Sequence, residues 1–289
     1  MAQRIAHTRE KLVKTYHYFL IIVLSLAVCS QLSMALTGQT PTQYVVIRAA
    51  FHIHTTYSGG NWTPSQVVDL YKSYGFNCIS ITDYNTVNGS FAGVAEAKAR
   101  GNQTGMIVIG GQEIIAQFPK NNGSTVFKHV LALFLTAPIN DPLAWNRTSD
   151  VQWYFDQIHN QSGIGIIAHS WDMNDQTVTG TSNSPWWQFR NASYVDGWEI
   201  FNYGVIGNGM TDDEIYNVLG RGKIAIASQD FHKTSITNST YNVLFCINAT
   251  EEGVKDALIN QRLVVYSHGR IFGTREAISL YQRYNVGSP

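Results

Sequence analysis

Short apolar runs alternate with amphipathic segments along most of the chain. The runs have the length and composition of buried strands, and in chain order they read TQYVVIRAAFHIH, NCISITD, MIVIGGQEI, KHVLALFL, GIGIIAHS, VDGWEIFN, KIAIASQD and YNVLFCIN. The segments between them place apolar residues three and four positions apart, as helices do: PSQVVDLYKSYG, FAGVAEAKARG, SDVQWYFDQIHNQ, DDEIYNVLGRG and EEGVKDALINQRL. Apolar strands that alternate with helices predict a parallel sheet or an α/β barrel, buried on both faces.

Two of the predicted helices begin at a capping box. Thr63 is followed by Pro64 and, three positions on, by Gln66, and Thr211 is followed by Glu214 with the same spacing. In this arrangement each side chain accepts a hydrogen bond from a backbone N–H that the first helical turn leaves without a partner. Both patterns therefore indicate where a helix starts.

The first 36 residues differ in composition from the rest of the chain. Several basic residues precede an apolar run at residues 19–29, and small residues follow at Ser33 and Ala35. This pattern indicates a secretory signal peptide at residues 1–36. With the softer residues that follow it, the run also suits an uncleaved N-terminal membrane anchor. We expect a secreted or cell-surface protein that touches a membrane only through this segment, if it stays attached.

The remaining residues have the composition of a globular protein. The whole chain is 44% hydrophobic and 12% aromatic, and its formal net charge is +0. No block of like charges is present, so the sequence argues against a nucleic-acid partner bound through its phosphate backbone. Because no repeat or linker interrupts the pattern, we expect a single domain from about residue 44 to 270 and a C-terminal tail at 271–289.

Asparagine sequons are frequent in the chain. Residue frequencies alone would give about three N-x-S/T sites, and the sequence has nine, at Asn61, Asn88, Asn102, Asn122, Asn146, Asn160, Asn191, Asn238 and Asn248. The excess favours an N-glycosylated protein on the outer surface of the cell.

Outside the first 36 residues the chain has two cysteines, Cys78 and Cys246. Both lie in apolar, strand-like runs. Two buried thiols and one disulfide are both compatible with these positions in an oxidising compartment.

Polar residues gather where the predicted strands end. His52 and His54 end the first strand, and alternation along a strand puts both side chains on one face. In an α/β barrel the carboxyl ends of all strands meet at one mouth, where active sites are built. The residues that would meet there are His52, His54, Asp83, Glu113, His129, His169, Glu199, Asn202, Asp230 and His232.

The residue types at these strand ends indicate a metal centre. A single histidine or aspartate at a strand end is usually a satisfied core residue or a helix cap. Five histidines with Glu113 and Asp230 are difficult to explain in that way. Mixed imidazole and carboxylate ligands suit Zn, Mn or Fe better than Ca or Mg, which prefer oxygen alone.

The ordered motifs resemble those of a known family. FHIHTTYSGG, GFNCISITDYN, GQE, AHS, EIFN and SQDFH follow one another as in the PHP family (polymerase and histidinol phosphatase) of metal-dependent phosphoesterases. The resemblance spans about residues 44 to 270. It implies a distorted (β/α)7 barrel as the fold, with the motifs at its mouth.

The resemblance also implies the metal ligands. The first ion would be held by His52, His54, Glu113 and Asp230, and the second by Glu113 as a bridge with His129 and His169. Many family members hold a third ion through further histidines. Here TTYSGG has no histidine and Tyr84 replaces another, so His232 alone remains. We therefore expect two divalent ions, Zn, Mn or Fe.

The resemblance further implies hydrolysis of a phosphoester by a hydroxide held between two metals. We expect His232 to contact a phosphate oxygen or protonate the leaving group, and Asp83 to orient a ligand histidine. Tyr84, Glu199 and Asn202 are the expected substrate contacts. The substrate would be a small organic phosphate outside the cell.

Two other functions fit the same residues. Barrel metallohydrolases of this broad type also cleave carboxylic esters or amides. A cell-surface glycoprotein that binds a ligand on a decayed barrel without turnover is the alternative from a different class, and Tyr84 is the feature that favours it.

Overall fold

The computed structural model describes most of the chain after residue 41. The described residues are 42–84, 90–119, 125–140, 151–169, 189, 191–202, 210–232, 236 and 238–286. The expected signal peptide at 1–36 lies outside them, as do the sequons Asn88, Asn122 and Asn146. Within the described ranges no helix combines the length and apolar character that a bilayer span requires.

Tyr44–Pro289 form one compact unit of mixed strands and helices. In chain order its described elements are β1 Val45–Ala50, α1 Pro64–Ser73, β2 Cys78–Ile81, α2 Ser90–Thr104, β3 Ile107–Pro119, β4 Thr125–Leu133, α3 Val151–Asn160, β5 Ile164–Ile167, β6 Gly197–Phe201, α4 Asp212–Gly220, β7 Ile224–Ala227, β8 Thr240–Cys246, α5 Glu251–Ile259, β9 Leu263–Ser267, β10 Arg270–Gly273 and α6 Arg275–Arg283. Strands and helices alternate over part of the chain, as the apolar pattern predicts, whereas β3 and β4, and likewise β9 and β10, are successive strands that pair with each other. The Thr63 capping box forms, with Thr63 N donating to Gln66 Oε1 over 2.9 Å.

The ten strands form one sheet, in the order β10-β9-β8-β1-β2-β3-β4-β5-β6-β7. β1–β2, β2–β3, β5–β6 and β6–β7 are parallel pairs, whereas β4 is antiparallel to both of its neighbours. β8, β9 and β10 extend the sheet from β1 as antiparallel strands. Seven strands, β1 to β7, therefore follow one another across the sheet in chain order.

The sheet nearly closes on itself where β7 returns to β1. Ile53, just beyond β1, pairs in parallel with Phe231, just beyond β7. His54 N donates to Phe231 O over 2.9 Å, and Phe231 N donates to His52 O over 3.2 Å. One side chain adds to this closure: the buried amide of Asn242, on β8, forms hydrogen bonds with the backbone of Ala49 in β1 and of Ala227 in β7.

The structure is barrel-like, but the described residues do not reproduce a strict (β/α)7 repeat. β3 and β4 pair directly with each other as antiparallel strands, from Gly111 opposite Leu133 to Pro119 opposite Thr125. This pairing replaces the crossover helix that a parallel successor to β3 would need. The sequence motifs mark the ends of strands and carry no information on whether a helix or a hairpin follows.

Apolar layers fill the barrel beneath the mouth. Inward-facing residues such as Ile109, Leu131 and Ile226 form one buried cluster, which also includes Val254 and Leu258 of α5. α5 therefore packs at the end of the barrel opposite the mouth. The other helices cover the outside in two further clusters.

The segment that we expected as a tail, 271–289, includes ordered structure. Most of β10 and all of α6 lie within it, and Ala277, Leu280 and Tyr281 of α6 are buried in an outer core cluster. Thr274 caps this helix by accepting a hydrogen bond from Ala277 N. The compact unit therefore continues past residue 270.

Cys78 and Cys246 are both buried and both free. They lie on strands that flank β1, where Cys246 is opposite Val45 and Cys78 is opposite Ala49. Four residues along a strand correspond to about 13 Å, well beyond the reach of a disulfide. The structure therefore favours two buried thiols.

Candidate metal centre

The histidine pair faces the barrel interior because the alternation of inward and outward side chains shifts by one residue at the end of β1. Ile47, Ala49 and Phe51 belong to the inner cluster, so strict alternation would send His52 outward. Instead Ile53 packs in an outer cluster, and His52 and His54 are fully buried on the inner side. The two imidazoles thus share one face, as the sequence predicts.

The glycines that follow the pair allow the chain to turn tightly over it. Gly59 has a φ of +104°, a conformation that L side chains rarely adopt. A Cβ on Gly60 would lie 2.4 Å from His54 O, so no larger residue fits there without a shift. This tight turn brings the Ser58 hydroxyl next to the His54 ring.

Four side chains meet at the first of two ligand clusters. The ligating atoms of His52, His54, Glu113 and Asp230 all lie within 4.8 Å of one another, and all four residues are buried. His54 Nε2 is 2.8 Å from Glu113 Oε2 and 3.5 Å from Asp230 Oδ1. His52 Nε2 is 3.2 Å from each of the same two oxygens.

The second cluster is built on the other oxygen of Glu113. His129 Nδ1 is 2.5 Å and His169 Nε2 is 3.0 Å from Glu113 Oε1, and the two nitrogens are 3.1 Å apart. Each oxygen of the Glu113 carboxylate therefore serves one cluster. This is the arrangement of a carboxylate that bridges two cations.

Two of these ligand candidates have a backbone conformation that is rare outside glycine. His169 has a φ of 23° and Asp230 a φ of 45°. Non-glycine residues with positive φ are uncommon, and they concentrate at functional sites where neighbouring contacts hold them in place. For His169, the bond from its backbone N to Glu199 Oε2, at 2.7 Å, is one such contact.

Charges within the barrel shift the pKa values of the buried groups. Burial by itself would raise the pKa of Glu113, but the imidazoles of His52 and His129 outweigh it and hold that pKa well below its usual value. Burial would lower the pKa of His52, but the Asp230 and Glu113 carboxylates raise it well above 6.5. The pKa of Asp230 is lowered, again against burial, chiefly by His52. The ionised carboxylates of Glu113 and Asp230 therefore stabilise positive charge on the groups between them.

The donor set fits a divalent cation. Glu113 Oε2 and Asp230 Oδ1 are buried, and neither accepts a hydrogen bond from any described residue. Such buried oxygens are costly unless something positive binds them. Imidazole nitrogens and carboxylate oxygens converge on the same two points, and Zn, Mn and Fe take this mixture of ligands.

Glu199 and Asn202, expected as substrate contacts, lie behind the ligands. Glu199 is fully buried, and its Oε1 is 3.0 Å from His52 Nδ1. Asn202 Nδ2 donates to Glu199 Oε2 over 2.9 Å. The structure therefore places Glu199 against the Nδ1 of His52, a ligand candidate, in the position of the support that metal-binding imidazoles usually have.

The remaining expected residues lie beside the first cluster. The His232 ring stacks on His54 with centroids 4.0 Å apart, and the Tyr84 ring is 4.6 Å from His54 and 5.7 Å from His129. The His232 side chain is 24% exposed, so it faces the open side. Asp83 is buried, and in the contacts of the described residues its carboxylate bonds to Thr55 and Ser58.

Two serines that touch the site are absent from the sequence prediction. Ser58 Oγ is 2.9 Å from His54 Nδ1, and Ser228 Oγ donates to Glu199 Oε1. Serine is common in loops and at strand ends, so neither position stands out by type. The signal that could have found Ser58 is its place in the same short turn as His54.

No family model matches the chain. An uncharacterised protein of Methanocaldococcus jannaschii is 28% identical over 134 residues, which cover 43% of this chain and 67% of the relative.

Solved structures similar to this chain include PHP-like proteins. A two-domain protein of Bacteroides vulgatus that contains a predicted PHP-like metal-dependent phosphoesterase gives a TM-score of 0.64 at 20% identity, over 85% of this chain and 72% of that one. A protein of Bifidobacterium adolescentis, whose assignment as a metal-dependent phosphoesterase is itself a prediction, gives 0.52 at 15% identity, over 76% and 97%. At these identities the likeness establishes the fold.

Proposed function

We propose that this protein is a metal-dependent hydrolase, and more narrowly a phosphoesterase that acts on a small organic phosphate with two divalent ions. The observation that carries the proposal is the position of the Glu113 carboxylate between two groups of histidines. Its two oxygens contact separate groups of imidazoles, and these groups form two adjoining ligand clusters. The PHP-like fold supports the same function, since one similar structure contains a predicted metal-dependent phosphoesterase and the other is assigned to that activity by prediction.

The first ion would be bound by His52, His54, Glu113 and Asp230, and the second by Glu113, His129 and His169. Two such ions, Zn, Mn or Fe, would supply a water of lowered pKa and neutralise charge on the phosphoryl group. The protein side chains fix the separation of the two sites through a single buried carboxylate. Tight packing of the barrel below keeps these ligands in place.

On the open side, His232 and Tyr84 have the positions to contact the substrate. Asp230 O and Oδ1 lie 3.0 and 3.2 Å from His232 Nδ1, which leaves His232 Nε2 for a phosphate oxygen or the leaving group. That contact to Asp230 also raises the pKa of His232 against the effect of burial, which favours the protonated form that a general acid needs. Tyr84 has its ring near ligand candidates of both clusters.

Export and glycosylation remain part of the proposal. The six sequon asparagines within the described residues, Asn61, Asn102, Asn160, Asn191, Asn238 and Asn248, are all exposed. Exposure is what a glycan on each would require. We propose that the protein acts outside the cell, on a substrate that reaches it there.

A substrate panel tests the proposed reaction. Protein reloaded with Zn²⁺ or Mn²⁺ is assayed on p-nitrophenyl phosphate, bis-p-nitrophenyl phosphate and p-nitrophenyl acetate. Turnover of a phosphoester that is lost in the His54→Ala variant is the expected result. Turnover of the acetate alone would replace the phosphoesterase with an ester hydrolase, and no turnover of any substrate class by metal-loaded protein would favour a binding protein.

The Tyr84→His variant tests the number of ions. It introduces the imidazole that family members have at this position, next to His232. We expect two equivalents of metal in the wild type and a third, weaker equivalent in the variant. Three equivalents in the wild type would contradict the expected count.

A further inference from the structure

The turn after the histidine pair contains a buried hydroxyl that contacts a ligand candidate. Ser58 is 8% exposed, and its Oγ is 2.9 Å from His54 Nδ1. The same Oγ is 2.5 Å from Asp83 Oδ1. Asp83, Ser58 and His54 therefore form a hydrogen-bonded chain that ends on the ring whose Nε2 faces Glu113.

The directions of these hydrogen bonds follow from the number of protons available. The Asp83 carboxylate also accepts from Thr55 N over 2.8 Å and from Thr55 Oγ1 over 2.7 Å, so it acts as an acceptor throughout. A carboxylate has no proton to give, and Ser58 has a single hydroxyl proton. Ser58 therefore donates to Asp83, and its Oγ accepts from His54 Nδ1–H.

We propose that Ser58 is a positioning residue that holds His54 in the tautomer with its proton on Nδ1. In that tautomer the lone pair of Nε2 is free and points at Glu113 Oε2 and Asp230 Oδ1. The inference deepens the proposed function, on which it rests: it names the group that prepares one ligand of the first ion. Asp83 acts through Ser58 and does not contact the imidazole in the described hydrogen bonds.

The neighbouring ligand offers an internal comparison. His52 Nδ1 is 3.0 Å from the Glu199 carboxylate, which accepts a hydrogen bond from it, so neutral His52 also carries its proton on Nδ1 and leaves Nε2 free. One histidine of the pair is thus oriented by a carboxylate directly, and the other by a carboxylate through a hydroxyl. Both arrangements leave the two Nε2 atoms 3.3 Å apart and facing the same oxygens.

A matched pair of substitutions separates the effect of the hydroxyl on metal affinity from the effect of side-chain shape. Ser58→Thr keeps the hydroxyl, and Ser58→Val introduces a side chain of nearly the same shape as threonine without a hydroxyl. Each is combined with His129→Ala, which removes a ligand candidate of the second cluster only, or with Asp230→Asn, which removes one of the first cluster only. Zn²⁺ affinity is then measured by competition with a chromophoric chelator. Ser80→Ala, which removes another buried hydroxyl of the barrel, is the control.

We expect Ser58→Val to weaken Zn²⁺ binding at the first cluster by about 10-fold to 100-fold, the range for lost support of a ligand histidine. Ser58→Thr should restore most of this affinity, and the second cluster and the Ser80→Ala control should stay at the wild-type value. Equal affinities for the Thr and Val variants at the first cluster would overturn the inference. A wild-type protein that binds no metal would instead reject the proposed function itself. Ser58→Ala replaces Val if the larger side chain prevents folding, with the same expected loss.

Discussion

Replacing Glu113 with glutamine should remove most of the stability that metal ions add to the fold. Glutamine keeps the size of the fully buried side chain but loses the charge and one of the two acceptor oxygens. Because the two Glu113 oxygens belong to different clusters, this single change weakens both sites. Substitution of Asp230, by contrast, affects only the first.

The size of the effect follows from linkage. An ion present at 100 times its dissociation constant stabilises the folded state by about 2.7 kcal/mol, so two ions contribute about 5.4 kcal/mol. For a unit the size of Tyr44–Pro289, 1 kcal/mol corresponds to roughly 2 °C in Tm. Metal should therefore raise the wild-type Tm by about 10 °C, that of Asp230→Asn by about 5 °C, and that of Glu113→Gln by much less.

Differential scanning calorimetry of each protein, with chelator and with Zn²⁺, measures these shifts. Glu96→Gln is the matched control, because Glu96 accepts hydrogen bonds from Ser65 between two outer helices. It should show the full wild-type shift. The reasoning is refuted if Glu113→Gln shows that shift too, since the bridging carboxylate would then be unnecessary for metal binding.

Three further predictions concern the closure of the barrel, the support of His52 and the two thiols. Asn242→Ala should lower the free energy of unfolding by about 2–5 kcal/mol, because it leaves backbone groups of β1 and β7 without partners. Denaturant titration measures this loss. The control, Asn260→Ala at an exposed position, should lower the free energy of unfolding far less. Glu199→Gln should weaken the binding of one metal equivalent by about 10-fold to 100-fold, and equal chelator titrations for variant and wild type would contradict the role given to Glu199. Burial raises the pKa of Cys246 to about 12 and that of Cys78 well above 9.0, so the native protein should keep both as thiols at mildly alkaline pH. Iodoacetamide followed by peptide mass spectrometry should find both unmodified until guanidinium chloride unfolds the chain, and rapid modification of either in the native protein would show that it is accessible.

The sequence was most informative where a property depends on residue type and spacing. Near-continuous apolar runs located eight of the ten described strands, and the resemblance to the PHP family proposed the six residues whose ligating atoms the fold brings into two clusters. The pairing of His52 with His54 on one face was also predictable. It could be predicted because the motif needs only local alternation, although the phase change after Phe51 that turns the pair inward was not visible.

Properties that depend on long-range packing were harder to predict. Glu199 ends an apolar strand as a substrate contact would, and only the fold shows that it lies behind His52. Likewise, the direct pairing of β3 with β4 depends on which strands become neighbours, which the spacing of apolar residues does not specify. Helix α6 has its own cap at Thr274, but it follows the last recognisable motif and was therefore assigned to a tail.

Metal content measured together with activity tests the central claim most directly. Full-length protein is analysed for bound metals by elemental analysis, and its phosphoester turnover is measured before chelation, after chelation and after reloading. The account predicts two equivalents of Zn, Mn or Fe per chain, with turnover that disappears on chelation and returns on reloading. A protein that binds no metal after reloading, or one that turns over phosphoester equally well when stripped, would contradict it.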